Sequence, residues 1–164
     1  MNRNLKQQDD GFTIIEVVLV LAIAALIMLM VFLALPALQR GQRDTQRKDD
    51  VSRLQSAINN YKSRNRGVLP AATEAGYTSL FANDLRRAGD QFDDPSKGPY
   101  VPEVATSGTN PAMPEYDDAT AAQIWIYPGL SCKGENAEGT INGTARKVAI
   151  VKPLEGGGRH CAEA

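Results

Sequence analysis

Apolar residues form one long uninterrupted run near the start of the chain, and after it they are mixed with polar residues. Nineteen consecutive residues without a polar side chain extend from Val17 to Leu35. As an α-helix rising about 1.5 Å per residue, this run would be about 28 Å long, enough to cross a bilayer. An ordinary secretory signal has a shorter apolar core of about 7–15 residues. We therefore expect a permanent anchor, or a helix stored in the membrane before it packs into an assembly, rather than an ordinary cleaved signal.

After the apolar run, the pattern indicates that the helix continues with one apolar face. Residues 39–50 are polar and charged, and from Val51 onward apolar residues return at steps of three and four. Such spacing places them on one side of a helix. They are Val51, Leu54, Ile58 and Tyr61. We expect this amphipathic half to end near Arg66.

Pro36 and Gly41 lie close to the junction of the two halves of this predicted helix. Proline removes one backbone hydrogen bond and crowds the preceding turn, and the nearby glycine adds flexibility. We therefore expect a helix kink or a melted turn at these two residues. The alternative is that Pro36 only marks the membrane boundary.

The rest of the chain predicts a small α+β head. Roughly 100 residues follow the helix, enough for one modest core. A short second helix is expected over 79–88, capped by Thr78 or Ser79. Runs rich in β-branched and aromatic residues predict strands over 123–127 and 146–152. The proline-rich stretch over 93–118 is expected to be a long irregular loop.

The charges of the chain nearly balance, but they are divided along it. The net charge is −1, which argues against a general nucleic-acid binder. Residues 40–66 carry +5, whereas residues 67–164 carry −5. This division would let stacked copies attract one another weakly, or it would simply give two solvated faces. DNA contact by the basic segment is a further alternative, which its three Asp residues weaken.

The two cysteines and the flanking charges give opposite indications about which side of the membrane holds the head. Cys132 and Cys161 are the only cysteines, and such a pair in a small head favours a disulfide formed outside the reducing cytosol. Two free thiols are the alternative. Counting Lys and Arg near the apolar run gives more on its C-terminal side, which by the positive-inside rule favours a cytoplasmic head.

Enzyme chemistry, a cofactor and a metal site are not indicated. His160 is the sole histidine, so no catalytic set based on histidine has the parts it needs. The acidic pairs at 93–94 and 117–118 offer the hard oxygen ligands that Ca²⁺ prefers, but without a spaced loop, and solvated acidic turns are the simpler interpretation. Asn142 begins a glycosylation sequon in form. We expect no catalytic residue, no bound metal and no cofactor.

One acidic residue stands directly before the apolar run. A charged side chain in a membrane helix costs a few kcal/mol and is usually retained because a group partners it. For Glu16, we expect that partner to be another copy of the chain. The alternative is that Glu16 lies at headgroup depth and is hydrated.

The segment Gly11-Phe-Thr-Ile-Ile-Glu16, followed by a long apolar helix, resembles the class III signal of type IV pilins and of the pseudopilins of type II secretion. The resemblance implies cleavage between Gly11 and Phe12 by the prepilin peptidase, which also N-methylates Phe12. It implies the type IV pilin fold, in which a long N-terminal helix packs on a small antiparallel sheet. The implied regions are a leader over 1–11, a hydrophobic transmembrane and filament-core helix over 12–36, an amphipathic helix half over 37–66, and a head with a C-terminal disulfide loop over 67–164.

The resemblance also implies a structural role in a filament. After cleavage, the α-amine of Phe12 and the carboxylate of Glu16 would lie one helical turn apart, so Glu16 would pair with the amine of its own chain or of a neighbouring copy. In a bundle of identical helices, pairing with the neighbouring copy would set the axial register. The implied partners are copies of the chain, the peptidase, the membrane before assembly, and the assembly platform with its ATPases. The head would lie outside the plasma membrane and then on an extracellular pilus used in adhesion, twitching motility or DNA uptake, with surface or DNA contact by the filament.

Two alternatives stay open. The favoured interpretation is a major pilin, and the first alternative is a minor pilin or a secretion pseudopilin. From a different class, it would be a single-pass membrane-anchored extracytoplasmic binding domain with no assembly role.

Overall fold

The computed structural model describes residues 11–105, 114–134 and 140–164, without the side chains of Ala88 and of residues 140–142. The chain divides into two units, Met1–Leu38 and Gln39–Ala164, and each is described by itself. The leader predicted over 1–11 lies outside the described residues, apart from Gly11.

The first described element is helix α1, Ile14–Arg64. In the first unit, every residue from Gly11 to Leu38 is exposed. A helix that is apolar all round belongs in a membrane or in the core of an assembly. The apolar part of α1 has the length and composition needed to cross a membrane.

Helix α1 includes both residues at which a kink was predicted. Pro36 lies inside the helix, and Gly41 is helical as well. The kink therefore stays a prediction. The helix ends at Arg64, two residues before the expected end, where Arg66 (φ 56°) and Gly67 (φ 82°) adopt left-handed backbone conformations that turn the chain away.

In the second unit, the apolar face of α1 packs into the core. Val51, Leu54 and Ile58 are fully buried, and Tyr61 packs at the edge of the same cluster. Burying a Leu or Ile side chain contributes about 1.5–3 kcal/mol. The predicted stripe is therefore the surface on which the head is built.

The second helix begins earlier than expected. Helix α2 is Glu74–Leu80, and the side chain of its N-cap residue Thr73 accepts a hydrogen bond from the Gly76 amide at 3.2 Å. The prediction of a helix over 79–88 capped by Thr78 or Ser79 was wrong. Thr73 satisfies a free amide of the first turn, and the chain after Leu80 continues as a π-helical turn, Phe81–Leu85, followed by a 3₁₀ turn, Arg87–Gly89.

Eight strands lie within the described residues. In chain order they are β1 Asp93–Asp94, β2 Gly98–Pro99, β3 Val101–Val104, β4 Gln123–Pro128, β5 Leu130–Cys132, β6 Thr140–Asn142, β7 Val148–Pro153 and β8 Arg159–Glu163. Four of them form the main sheet in the order β3-β4-β7-β8. Two small hairpins, β1–β2 and β5–β6, accompany it.

The main sheet contains both predicted strands, as β4 and β7. Strand β7 starts at Val148, two residues later than predicted, and it pairs antiparallel with β4 and β8. The edge strand β3 instead runs parallel to β4, so the sheet is mixed. The stretch expected to be one irregular loop over 93–118 contains β1, β2 and β3, and that part of the prediction was wrong.

A long N-terminal helix followed by a small sheet confirms the predicted α+β class and agrees with the type IV pilin fold. The core between helix and sheet is rich in aromatic side chains. The Phe92 ring lies 5.1 Å from that of Phe81 and 4.9 Å from that of Tyr100, measured between ring centroids. Aromatic pairs at such spacings add to the stability that burial provides.

The disulfide predicted between Cys132 and Cys161 is present. It joins β5 to β8, with the two Cα atoms 6.0 Å apart. The bond thus ties the β5–β6 hairpin to the C-terminal edge strand of the main sheet.

Candidate functional site

The N-terminal end of α1 is organised by two residues that bond each other. The Thr13 amide and hydroxyl donate to the Glu16 carboxylate at 3.3 and 3.1 Å. In return, the Glu16 amide donates to the Thr13 hydroxyl at 3.3 Å. This reciprocal pattern is a capping box, which satisfies free amides of the first helical turn. The sequence carries its signal, a Thr three residues before a Glu ahead of an apolar run, which the sequence analysis did not use.

Glu16 has only neutral donors around it in this structure. Among the described residues, no cation lies within ion-pair distance of its carboxylate. The side chain borders an apolar recess of about 400 Å³, which Phe12 and Val17 also line. Within the described part of the chain, the carboxylate thus has hydrogen-bond donors but no positively charged partner, and pairing with a terminal amine stays a prediction.

The predicted cleavage site lies outside the helix. Gly11 and Phe12 precede the first helical residue, and the Phe12 side chain is 87 % exposed. A Cβ placed on Gly11 would meet no atom within 4 Å. Packing against the described residues therefore does not require glycine at this position.

A buried cluster of charges, which was not predicted from the sequence, surrounds Arg47 of helix α1 where the helix packs against the head. This residue is 0 % exposed. Its guanidinium donates to Asp94 at 2.8 and 3.1 Å, to Asp44 at 2.8 Å and to Ser96 at 3.0 Å. Burial alone would raise the pKa of Asp94, but the hydrogen bonds from Arg47 and Ser96 lower that pKa to about 2. The only feature of the sequence that could have indicated this cluster is the position of Arg47, four residues before Val51 on the core-facing side of the helix.

A buried lysine from the main sheet belongs to the same cluster. Lys152 is 1 % exposed, and its ammonium lies 3.5 Å from the Asp94 carboxylate. It also donates to the Ala121 carbonyl and, at 3.0 Å, to the Gln123 carbonyl. Burial lowers the pKa of Lys152 to about 8, against the opposing effect of Asp94. The cluster is thus an internal ion network that holds α1, the β1–β2 turn and β7 together.

The acidic pairs considered for Ca²⁺ have other roles. Asp94 is buried and bonded to Arg47 and Ser96, so its interpretation as part of a solvated turn was wrong. Asp117 caps a short 3₁₀ turn by accepting from the Ala119 amide, and Asp118 pairs with Lys97 at 2.6 Å. Over the described parts of the chain, no group of three or more His, Cys, Asp or Glu side chains is placed to hold a metal ion.

Much of the basic charge on the amphipathic half of α1 is paired within the head. Arg43 pairs with Glu155 at 2.5 Å, and Arg64 pairs with Asp84 at 2.7 Å. Together with the buried Arg47, these contacts join the positive helix to the negative head inside one molecule. Fewer Lys and Arg side chains of this segment are therefore available for attraction between stacked copies, or for DNA contact, than the sequence suggested.

His160 lies in β8, opposite Lys152. It is half-buried, and burial, assisted by the positive charge of Lys48, lowers its pKa. Both effects favour the neutral imidazole, which fits a structural position in the sheet.

Comparison with known proteins identifies one region. Residues 6–32 match the family model described as the prokaryotic N-terminal methylation motif. No curated protein and no solved structure matches the chain. The matched region contains Gly11, Phe12 and Glu16 together with the start of the apolar helix. Residues 6–32 therefore carry the N-terminal methylation motif, which is the class III signal found in type IV pilins and pseudopilins.

Proposed function

We propose that the chain is the precursor of a structural subunit of a type IV pilus, with the major pilin as the favoured role. The leader over 1–11 is removed after Gly11, and the new N-terminus at Phe12 is methylated. The helix over 12–36 anchors the subunit and then forms the filament core. The amphipathic half over 37–66 carries the head, 67–164, to the filament surface.

The observation that carries this proposal is the methylation motif over residues 6–32, which includes the start of an apolar helical segment whose residues are all exposed as far as Leu38. A helix of that kind needs lipid or other apolar helices around it. A bundle of identical helices supplies such surroundings outside the membrane. The motif thus accounts for processing, and the unpartnered helix accounts for polymerisation.

Glu16 has a different partner at each stage in this proposal. Before assembly, the capping box with Thr13 provides neutral donors. After cleavage, the α-amine of Phe12 in an adjoining subunit provides the positive charge that the described residues lack near Glu16. An unpaired carboxylate is costly in an apolar bundle, so subunits packed in the correct axial register are favoured.

The head is proposed to lie outside the plasma membrane and, after assembly, on the filament surface. The Cys132–Cys161 bond supports this side because structural disulfides persist outside the reducing cytosol. The positive-inside count favours the other side, but the match of residues 6–32 to the methylation motif and the disulfide both favour a head outside. The assembly platform and its ATPases would extract the helix, and the filament would serve adhesion, twitching motility or DNA uptake.

Two measurements test the proposal. Mass spectrometry of the mature protein should find methylated Phe12 at the N-terminus, and electron microscopy of sheared surface material should find filaments with this chain as their main component. A trace amount in filaments dominated by another subunit would favour a minor pilin or pseudopilin. An intact Met1, or cleavage beyond Leu35, would favour the anchored binding domain and remove the prepilin assignment.

A further inference from the structure

The turn between β7 and β8 closes onto the beginning of the head-bearing part of α1. The Asp44 carboxylate accepts the backbone amides of Glu155 at 2.9 Å and of Gly156 at 2.7 Å. These contacts join residues more than 100 positions apart. A helix carboxylate therefore holds the backbone of a distant turn.

The turn also contributes a carboxylate of its own, that of Glu155, to its contact with the helix. Glu155 accepts from the Arg43 guanidinium at 2.8 and 2.5 Å, a bidentate arrangement, and from Arg47 at 3.3 Å. Planar pairs of this kind combine charge with fixed geometry. We call the set Arg43, Asp44, Arg47, Glu155 and Gly156 the latch.

Gly156 fits this contact because it has no side chain. A Cβ at that position would lie 3.0 Å from the nearest Asp44 carboxylate oxygen. Any larger residue would press on the carboxylate that binds the turn. A larger residue at position 156 would therefore require the Asp44 carboxylate to shift by a few tenths of an ångström.

The latch also extends into the buried network. Arg47 donates to Asp94 and Ser96 of the β1–β2 turn. The first helical turns after Arg43 are therefore held by two separate turns of the head. By contrast, every residue from Gly11 to Gln42 is exposed.

We propose that the latch is a stop for helix unwinding, and this inference rests on the proposed role of α1 as the element that forms the filament core. A helical segment without tertiary contacts is marginal in water and opens locally. Pro36 and Gly41 make opening easiest just before the latch. Unwinding that reaches Arg43 must separate buried and half-buried charge pairs, so it ends there and the head keeps its fold.

Hydrogen exchange of the full chain in detergent tests the stop. Asp44→Asn leaves one carbonyl oxygen where two backbone amides are now bound and removes the charge that pairs with Arg47. Asp49→Asn is the matched control, because Asp49 lies on the same helix, is exposed, and has no bonded or ion-paired partner among the described residues. Glu155→Gln is a milder second variant that weakens only the contact made by the turn.

We expect amides over 40–48 to exchange about tenfold faster in Asp44→Asn and in Glu155→Gln, with β4 and β7 unchanged and Asp49→Asn like wild type. Unchanged exchange over 40–48 in both latch variants would overturn the inference. An equal rise across the helix and the strands would overturn it too, because it would show a global loss of stability. The measurement needs no filaments. It can therefore contradict the proposed stop for unwinding independently of whether the chain is a pilus subunit.

Discussion

The guanidinium of Arg47 and the carboxylate of Asp94 form a bidentate pair in which both side chains are 0 % exposed. The two residues are 47 positions apart in the sequence. Removing one partner of a buried pair leaves the other charge without compensation, which is the costly outcome. The pair therefore ties the β1–β2 turn to α1, and Lys152 of β7 lies 3.5 Å from the same Asp94 carboxylate.

Replacing Arg47 tests that connection. We expect Arg47→Met to lower the free energy of unfolding of the head by about 3–5 kcal/mol, because Asp94 stays buried without its main partner. Urea unfolding of the full chain in detergent, followed by fluorescence of Trp125, the only tryptophan, measures the change. Lys48→Met is the control, since Lys48 is exposed on the same helix, and a change within about 0.5 kcal/mol is expected there. Equal effects of the two substitutions would contradict this account of the pair.

Acid should weaken the head through Asp94. Its folded-state pKa of about 2 lies below the unfolded value of about 3.9, so the unfolded chain binds more protons between these values. The resulting stability is fully present above the unfolded pKa and is lost as the pH falls from about 4 to 2, by about 2–3 kcal/mol. Unfolding free energies measured across this range should fall less steeply in Asp94→Asn than in wild type. Parallel slopes for the two proteins would rule out Asp94 as the source.

Reduction should destabilise the head by releasing the β5–β6 hairpin from β8. Closing a loop between residues 29 positions apart is expected to contribute about 3–4 kcal/mol on the chain-entropy model. The Cys132→Ser/Cys161→Ser protein should therefore unfold at lower urea, and dithiothreitol should shift wild type to the same midpoint. A further shift of the double variant by dithiothreitol would show that the reagent acts elsewhere.

Loss of the Glu16 carboxylate should reduce filament assembly more than loss of its capping contact with the Thr13 hydroxyl. We expect Glu16→Val to be processed after Gly11 but to give few or no filaments, because the carboxylate that pairs with a neighbouring amine is gone. Thr13→Val removes the hydroxyl from the capping box but keeps the carboxylate, so it should retain filaments, with helix stability reduced by about 1 kcal/mol. Peptide mass spectrometry and filament yield by electron microscopy measure the two steps. Normal filament yield from Glu16→Val would contradict the pairing role.

Several features could be predicted from the sequence because their signals are local. The apolar run, the Gly-Phe motif with Glu16 and the stripe at Val51, Leu54 and Ile58 are patterns of composition and spacing within a few helical turns. The Cys132–Cys161 bond was predictable because only two cysteines exist. The strands β4 and β7 were found through their β-branched residues, since those side chains suit a buried sheet.

Tertiary structure alone decided the rest. The parallel pairing of β3 with β4 and the burial of Arg47 against Asp94 depend on which distant segments meet. Charged residues usually indicate solvent-exposed positions, so a local pattern cannot show that the arginines of the helix are neutralised by Asp94 and Glu155. The sequence by itself determined an apolar helix long enough to cross a membrane and the methylation motif at its start, because both are local patterns. The folded head decided which charges of the helix are paired within the molecule, because those pairs join distant segments.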